Sequence, residues 1–304
     1  GLTAAFLDSR FNLSFDFYSN TTYDMLMSVN LPPSVGTTSM NVNFGQLNNK
    51  GLDLSLSAQI IRNKDWFWSM TLTGGHVMDQ IRKISQGLKN DIDNPYDSSK
   101  PKILFVEGGS QYDIYAMRSA GIDPATGKEI FIKKNGEYTF KYDENERVAV
   151  GNTNPILQGS WMNTVRYKGF SISLATSYTF GSDYYNSTLK NKVENIDLDY
   201  NVDRRVFTDR WKQPGDHTRF LGIGTSSSSS QYSERFVEKR NELYISSIQV
   251  MYDFAPKAIT RLGLRKLAIG FGLSDIAHIS TVKFERGTDY PYCRGINLIF
   301  RPTF

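Results

Sequence analysis

The sequence predicts an all-β protein: an antiparallel transmembrane β-barrel wall of about nine strands with long loops at one end. First, apolar and polar residues alternate with period two in eight separate stretches, and a short strand-like stretch precedes them at residues 2–7. Second, the segments that join these stretches alternate between short and long. Third, the last stretch keeps its alternation up to the terminal Phe304. The end of a soluble chain usually frays, whereas the closing strand of a barrel must stay paired.

The predicted strands after the first have one apolar and one polar face. Phe15 and Phe17 flank Asp16, for example, and Ile172 and Leu174 flank Ser173. We expect the polar faces to line a lumen and the apolar faces to contact lipid. The predicted strands lie at residues 2–7, 11–18, 52–60, 66–73, 157–167, 170–180, 244–254, 267–273 and 294–304. The residues that mark their polar faces are Asp16, Asp53, Gln59, Ser173, Gln249 and Asp253.

Three positions test this assignment of faces. Alternation places Tyr244 on the same apolar face as Ile248 and Val250, and it places Ile60 on the apolar face of its own strand. Asn163 falls on the apolar face of its strand, where it is a polar exception to the pattern.

The joins between strands fall into two classes. Short joins lie near residues 8–10, 62–65, 168–169 and 255–265, and long ones near 21–47, 80–154, 182–241 and 275–291. Because alternate joins of a meander lie at opposite ends of the sheet, all the long loops gather at one end. A β-sandwich has no reason to sort its loops in this way. Inside the long loops we predict a hairpin turn at residues 134–137, short helices at 189–193 and 204–211, and a mobile serine run at 226–230.

An odd count of nine strands indicates part of a larger barrel. An open sheet in lipid leaves unpaired edge groups, each costing several kcal/mol. We therefore interpret residues 1–304 as the C-terminal portion of a barrel whose other strands lie outside this chain. The sequence shows no signal peptide and no initiator methionine, so Gly1 is expected to be an internal starting point.

Bulk composition agrees with this interpretation. Hydrophobic residues make up 39% and the mean hydropathy is −0.40, values that a barrel with alternating faces can have. No run of about 18 apolar residues predicts a transmembrane helix. The net charge of +4 is small and spread out, so we expect no nucleic-acid partner. The single cysteine, Cys293, has no disulfide partner within the chain.

Candidates for chemistry are few. His76, His217 and His278 are scattered without ligand spacing, and the acidic run at residues 143–146 lacks the spacing of a calcium loop. Asp123-Pro124 with Gly127 is expected to fix a turn. We find no nucleophile, base and acid in a catalytic pattern, so we predict no enzyme activity, no metal and no cofactor.

Three aromatic residues are the candidates for substrate contact. Tyr184, Tyr185 and Trp211 lie in the predicted outer loop at residues 182–241, one of the two longest. Aromatic rings at such a place can stack on sugar rings or peptide side chains, and the alternative is that they pack the loop onto itself.

Six short motifs follow one another along the chain. The motifs are residues 43–53, Ala120-Gly121-Ile122-Asp123-Pro124-Ala125-Thr126-Gly127, Gly151-Asn152-Thr153-Asn154-Pro155, Tyr167-Lys168-Gly169-Phe170, Arg210-Trp211-Lys212-Gln213-Pro214-Gly215-Asp216 and Asp289-Tyr290-Pro291. In this order they resemble the C-terminal barrel region of SusC/RagA-type TonB-dependent transporters of Bacteroidetes outer membranes. The resemblance covers essentially the whole chain, and the order of the motifs makes it specific. The chain departs from the family at Leu273-Ser274-Asp275, and we find no plug domain in it.

The resemblance implies a role in active import. Members of this family form a plugged barrel of about 22 strands in the outer membrane, with long loops extracellular and short turns and C-terminus periplasmic. They take up oligosaccharides or peptides together with a SusD-like lipoprotein, and the TonB complex acts through an N-terminal part that is absent here. The alternative that the residues leave open is a surface or secreted glycan-binding β-sheet module, similar to a lectin, that does not transport.

Overall fold

The computed structural model describes residues 1–30, 36–37, 39–43, 45–84, 105–196, 199, 201–224, 231–260, 263–284 and 293–304. Its main element is one antiparallel sheet of nine strands whose spatial order follows the order of the chain. All nine predicted strands are confirmed. The strands are Leu2–Phe6, Phe11–Thr22, Gly45–Arg62, Trp66–Ile84, Leu157–Tyr167, Phe170–Tyr185, Val237–Asp253, Lys266–Ser280 and Gly295–Thr303.

The long loops carry secondary structure of their own. Glu129–Ile132 pairs with Tyr138–Thr139, which confirms the predicted hairpin. Short helices form at Ser187–Val193 and Arg205–Thr208, close to their predicted places. The remaining strands are Leu26–Asn30, Ser39–Asn43, Asp113–Ala116, Arg118–Ile122 and Val148–Asn152; a helix spans Pro256–Ile259, and 3-10 turns lie at Glu144–Glu146 and Glu234–Phe236. The serine run and the motif at residues 289–291 lie outside the described residues.

The strands extend further into the long loops than alternation predicts. The predicted loop at 182–241 is shortened to residues 186–236, because Phe170–Tyr185 and Val237–Asp253 stay paired up to Tyr185 and Val237. A bulge at Gly181, where φ is +74°, lets the ladder continue after its alternation is interrupted. The prediction that Tyr184 and Tyr185 are loop residues is therefore wrong: they end a strand.

The two faces of the sheet differ as predicted. Large apolar side chains such as Ile172, Leu298 and Phe300 are exposed on one face. On the other face, hydroxyl groups pair across neighbouring strands. These pairs join Ser57 to Thr71 (3.3 Å), Thr73 to Ser160 (2.8 Å) and Thr164 to Ser173 (3.3 Å).

A bulge at Ser246 changes the face of the residues that precede it. Ser247 pairs with Ala175 but Ile245 pairs with Thr176, so Ser246 is an extra residue on its strand. Its hydroxyl donates to the Ala175 carbonyl at 2.9 Å. Tyr244 consequently lies opposite Ser177 on the polar face. Its predicted place on the apolar face is wrong, because strict alternation cannot account for an inserted residue.

Two further positions are exceptions to a regular alternation of apolar and polar residues. A bulge between Gln59 and Ile61 places Ile61 opposite Trp68, where alternation had predicted Ile60. Asn163 lies on the apolar face as predicted, and its amide oxygen accepts the indole N–H of Trp68 at 3.4 Å. That contact offsets part of the cost of a polar group on this face.

The buried core lies in the loops and at the ends of the sheet strands next to them. One cluster combines Tyr185 and Phe236 with residues of the helix Ser187–Val193. Its buried members are Ile114, Tyr185, Leu189, Val193, Phe220 and Phe236. A smaller cluster contains Leu47, Ile81 and Ile84, which lie at the long-loop ends of the strands Gly45–Arg62 and Trp66–Ile84. Among the described residues, no helix is long and apolar enough to cross a membrane.

Candidate functional site

Four rings form a row at the long-loop end of the polar face. Tyr184 and Phe284 have ring centroids 5.0 Å apart, and His278 lies 4.9 Å from Phe284. Tyr244 meets His278 edge-on at 5.8 Å. Rings at these separations support one another. We call these four residues the aromatic row.

Two bulges bring the row together. The bulge at Ser246 moves Tyr244 to the polar face, opposite His278 on the next strand. The bulge at Gly181 places Tyr184 opposite Glu238, which lies on the same face as Tyr244 because the strand alternates regularly between them. A further register shift, between Ser274 and Ala277 on the next strand, sets His278 opposite Tyr244. The arrangement therefore depends on this shift as well as on the two bulges.

Charged groups flank the row. The imidazole Nε2 of His278 forms a short hydrogen bond with the Glu242 carboxylate. Arg240 lies on the other side of that carboxylate, with Nε 3.4 Å from Oε2. All three residues lie on the polar face of adjacent strands, so the aromatic row is bordered by paired charges.

A cavity of about 560 Å³ opens beside the row. Glu238, the cross-strand neighbour of Tyr184, and Lys283, the chain neighbour of Phe284, both line it. The other lining residues are Asn186, Leu189, Arg205, Thr208, Asp209, His217, Thr218, Arg219 and Phe220. A mixture of aromatic, charged and amide groups around a cavity of this size suits a polar ligand of several rings or residues.

The polar groups of the cavity are fixed by one another. Arg219 Nη2 lies 2.8 Å from Glu238 Oε1, and the Asn186 amide donates to Oε2 of the same carboxylate at 3.0 Å. The Asn186 side-chain oxygen also accepts the Leu189 N–H at 2.9 Å, which caps the helix Ser187–Val193. Asn186, the first residue after the strand Phe170–Tyr185, thus holds two of the cavity-lining residues, Glu238 and Leu189.

Behind the cavity, Arg235 pairs with two buried carboxylates. Its guanidinium lies 2.8 Å from Glu129 and 2.9 Å from Glu194. Lys190 is buried nearby, with Nζ 3.9 Å from the centre of the Tyr232 ring. Burial lowers the pKa of Lys190 to about 8.

Trp211 packs against the Asp123-Pro124 turn. Its indole N–H donates to the Pro124 carbonyl at 2.9 Å. Gly127 has φ of +69°, and a Cβ at that position would lie 2.4 Å from the Trp211 ring. Asp123 accepts the Thr126 hydroxyl at 2.6 Å and the Ala125 N–H at 3.1 Å, and these hydrogen bonds lower the pKa of its carboxyl group. Two of the motifs found in the sequence therefore fold against each other.

A third motif joins a loop to the strand that carries Tyr184. The Asn152 N–H donates to Asp183 at 2.9 Å, and the Asn154 N–H donates to the Asn152 side chain at 2.7 Å. A Cβ on Gly151 would lie 2.8 Å from the Asp183 side chain, so the close approach requires glycine.

The three sequence candidates do not lie together. Tyr184 belongs to the aromatic row, Tyr185 is buried in the loop core, and Trp211 fills a turn. Sequence reasoning missed Tyr244, His278 and Phe284. The spacing of His278 and Glu242 shows no motif, and only the strand register brings them together. In the part of the chain that the structure describes, no group of three His, Cys, Asp or Glu residues is placed to hold a metal ion.

Comparison with known proteins gives consistent matches. Residues 1–196 match a family described as "TonB dependent receptor-like, beta-barrel". TonB-dependent receptor P39 of Formosa agariphila is 24% identical over 91% of this chain and 31% of its own length. TonB-dependent receptor SusC of Bacteroides thetaiotaomicron is 25% identical over 84% of this chain and 25% of its own length. The chain thus spans about a third or less of these relatives.

A solved structure has the same fold. The RagAB peptide importer in its "open-open" state superposes with a TM-score of 0.78 over 99% of this chain and 34% of that chain, at 22% identity. At this identity the likeness concerns the fold alone. The nine-stranded sheet therefore corresponds in fold to about a third of that chain.

Proposed function

Because this chain belongs to the TonB-dependent receptor-like β-barrel family, we propose that it is the C-terminal part of the wall of an importer that takes up oligosaccharides or peptides. The observation that carries the proposal is the aromatic row beside a 560 Å³ cavity on the polar face of the sheet. A polar solute that passes along this face meets rings and paired charges before the hydroxyl-lined wall. The transport itself needs no covalent chemistry.

The facing of the sheet follows from solvation. The apolar face, with Ile172 and Phe300, turns to outer-membrane lipid, and the face with Ser173 and Tyr184 turns to the lumen. The loops at residues 85–156 and 186–236 then stand outside the cell, and the turns at 63–65 and 168–169 stand in the periplasm. The edge strands Leu2–Phe6 and Gly295–Thr303 pair with the remainder of the same barrel of about 22 strands.

We assign different roles to the three aromatic candidates. Tyr184 contacts substrate directly, because it lies on the polar face next to the cavity-lining Glu238. Tyr185 and Trp211 support the loops that surround the cavity. Aromatic contacts of this kind contribute about 0.5–1.5 kcal/mol each.

The partners of the whole transporter are a SusD-like lipoprotein and the TonB complex. The two long loops form the docking surface for the lipoprotein, because loops longer than about 15 residues are usually functional or disordered. The TonB complex acts through the N-terminal part of such a transporter. Shortening the loop at residues 186–236 should lower co-purification of the lipoprotein, whereas shortening the join at 254–265 should not. Unchanged recovery after the first deletion would remove that loop from the interface.

Uptake by the full-length transporter in its own outer membrane tests the main proposal. Labelled oligosaccharides and labelled peptides are offered to cells with and without TonB, and internal label is measured. We expect uptake to require TonB, and Tyr184→Ala to reduce it about threefold to tenfold with unchanged protein in the membrane. Tyr138→Ala, an exposed loop tyrosine, is the matched control. Internal label that does not depend on TonB would overturn active import by this protein, and release of the protein without detergent would favour a binding module without transport.

A further inference from the structure

Arg235 lies where three distant segments of the loops meet. Its side chain is almost fully buried, and its two carboxylate partners come from different loops. Glu194 directly follows the helix Ser187–Val193. Glu129 is the first residue of the strand Glu129–Ile132 and is separated from Arg235 by 106 positions in the sequence. One side chain therefore connects the two long loops.

On one side, Arg235 is hydrogen-bonded to the segment that forms the cavity wall. Its Nη1 donates to the Arg219 carbonyl at 2.6 Å, and Arg219 Nη2 donates back to the Arg235 carbonyl at 2.8 Å. Glu194 accepts the Leu221 N–H at 2.9 Å. Arg219 and Phe220, which both line the cavity, are thus held by Arg235 and Glu194.

On the other side, Arg235 holds the outer hairpin. Glu129 pairs with Ile122 in a three-stranded sheet that continues to the exposed Tyr138. The Glu129 carboxylate meets the guanidinium with both oxygens. Glu129 is not among the cavity-lining residues, and the contact of its side chain with the wall is made through Arg235. A backbone contact also joins the two segments, because the Gly222 N–H donates to the Gly127 carbonyl at 3.2 Å.

We propose that Arg235 is a positioning residue for the binding site, and that it couples the outer hairpin at residues 129–139 to the cavity wall at residues 219–221. This inference rests on the proposed function for the meaning of the cavity. Breaking one arm of a buried charge pair leaves an unpaired charge, so the network shifts as a unit. A movement of the hairpin is therefore transmitted to Arg219 and Phe220.

Cysteine labelling of the full-length transporter in the membrane tests the coupling. Exposed Cys293 is replaced by serine, and Thr218→Cys places a reporter in the cavity wall. The rate of reaction with a small methanethiosulfonate reagent is then measured. In Glu129→Gln we expect the rate at position 218 to rise about tenfold. The control is Glu137→Gln, which removes an exposed ion pair with Lys133 in the same hairpin and should leave the rate unchanged.

Arg235 itself provides the decisive comparison. If it transmits the effect, Glu129→Gln should have no further effect on the rate in an Arg235→Met background, and Arg235→Lys should restore part of the coupling. Additive effects of the two substitutions would overturn the proposal. An equal rise in Glu137→Gln would also overturn it, because the whole hairpin would then be loose.

Uptake separates this inference from the proposed function. Positioning predicts that Glu129→Gln raises the substrate concentration for half-maximal uptake several-fold and leaves the maximal rate unchanged. If Glu129→Gln changes the labelling rate at position 218 but leaves the substrate concentration for half-maximal uptake unchanged, Arg235 does not position the binding site. The proposal of import would not be affected by that result. Loss of TonB-dependent uptake in the unmodified protein would end the proposed function, whatever the labelling shows.

Discussion

The sheet and the loops solve opposite solvation problems. The sheet exposes its large apolar residues, with Leu298 86% and Phe300 66% accessible, whereas the loops bury Phe236 completely. The loops also bury Arg210, Lys190, Glu129 and Glu194, which are charged. Whether the large apolar side chains of a region are exposed or buried thus indicates whether lipid or water surrounds that region. Lipid surrounds the sheet, and water surrounds the loops.

The two regions also gain stability from different interactions. In the sheet, backbone pairing runs along each ladder except at the bulges, and the side chains need only suit the solvent on their side. In the loops, buried charges must find exact partners. Arg210, for example, donates to the carbonyls of Leu221 at 2.7 Å, Gly222 at 2.9 Å and Val193 at 3.2 Å. Errors in the loops should therefore cost more per residue than errors in the sheet.

The largest effect is expected in the loops. Arg235→Met leaves Glu129 and Glu194 buried without their common partner, which should cost the loops about 3–5 kcal/mol. Faster hydrogen exchange in the helix Ser187–Val193, with normal exchange in Leu157–Tyr167, would show it. Neutralising both carboxylates in the same protein (Glu129→Gln and Glu194→Gln) should restore part of the protection. If the sheet loosens equally, the two regions are not separate.

A single charge on the sheet should discriminate between its two faces. Ile172→Arg places a charge on the lipid face and should cost about 2–4 kcal/mol, whereas Ser173→Arg on the polar face should be tolerated. Leu54→Arg and Ser55→Arg form a second matched pair. The measurement is the amount of folded, heat-modifiable protein in the outer membrane. Equal loss from both members of a pair would contradict the assignment of faces.

A pair of glycines tests close packing in the loops. Gly127→Ala meets the Trp211 ring and has a positive φ, so it should cost about 1–3 kcal/mol. Gly136→Ala also has a positive φ, but a Cβ there would have nothing within 4 Å. Its effect should be limited to backbone strain of about 1 kcal/mol. Limited proteolysis of the loops measures both, and equal effects would mean that Trp211 does not press on Gly127.

The smallest effect concerns pH. Burial lowers the pKa of Lys190 to about 8 from 10.5. Below about pH 8 both the folded and the unfolded loop bind this proton, and the fold carries the full cost of the buried charge. Between about pH 8 and 10.5 the unfolded loop binds more protons, so stability should rise with pH.

Lys190→Met should therefore stabilise the loops at pH 7. We expect about 1 kcal/mol, since screening by solvent and the contact with Tyr232 offset part of the cost. Hydrogen exchange of the helix Ser187–Val193 at pH 7 and pH 9 measures it, corrected for the intrinsic pH dependence of exchange. A protein whose stability in this helix does not change with pH, or a variant that is less stable at pH 7, would contradict the assigned charge state.

The resemblance to SusC/RagA-type transporters is a result of sequence reasoning that the comparisons confirm. The structure explains why its motifs were informative. Gly127 and Trp211 belong to two motifs that touch each other, and Gly151 belongs to a third that meets Asp183. Close contacts of the loops require glycine at these two positions, which is a structural reason for the patterns.

By itself, the sequence determined the sheet. The alternation of Phe15, Asp16 and Phe17, or of Ile172 and Ser173, depends only on the pleat of one strand and on the medium at each face. The sorting of short and long joins likewise follows from chain order in a meander. These are local or one-dimensional properties, and for that reason all nine strands could be predicted.

Only the tertiary structure decided the site. An inserted residue reverses every later face of a strand, so Tyr244 and Tyr184 reach the polar face through bulges at Ser246 and Gly181 that alternation cannot reveal. His278, Phe284 and Arg235 acquire their neighbours across strands and loops that are far apart in sequence. Such contacts depend on register and loop packing, which are set by many weak interactions at once and leave no local pattern in the chain.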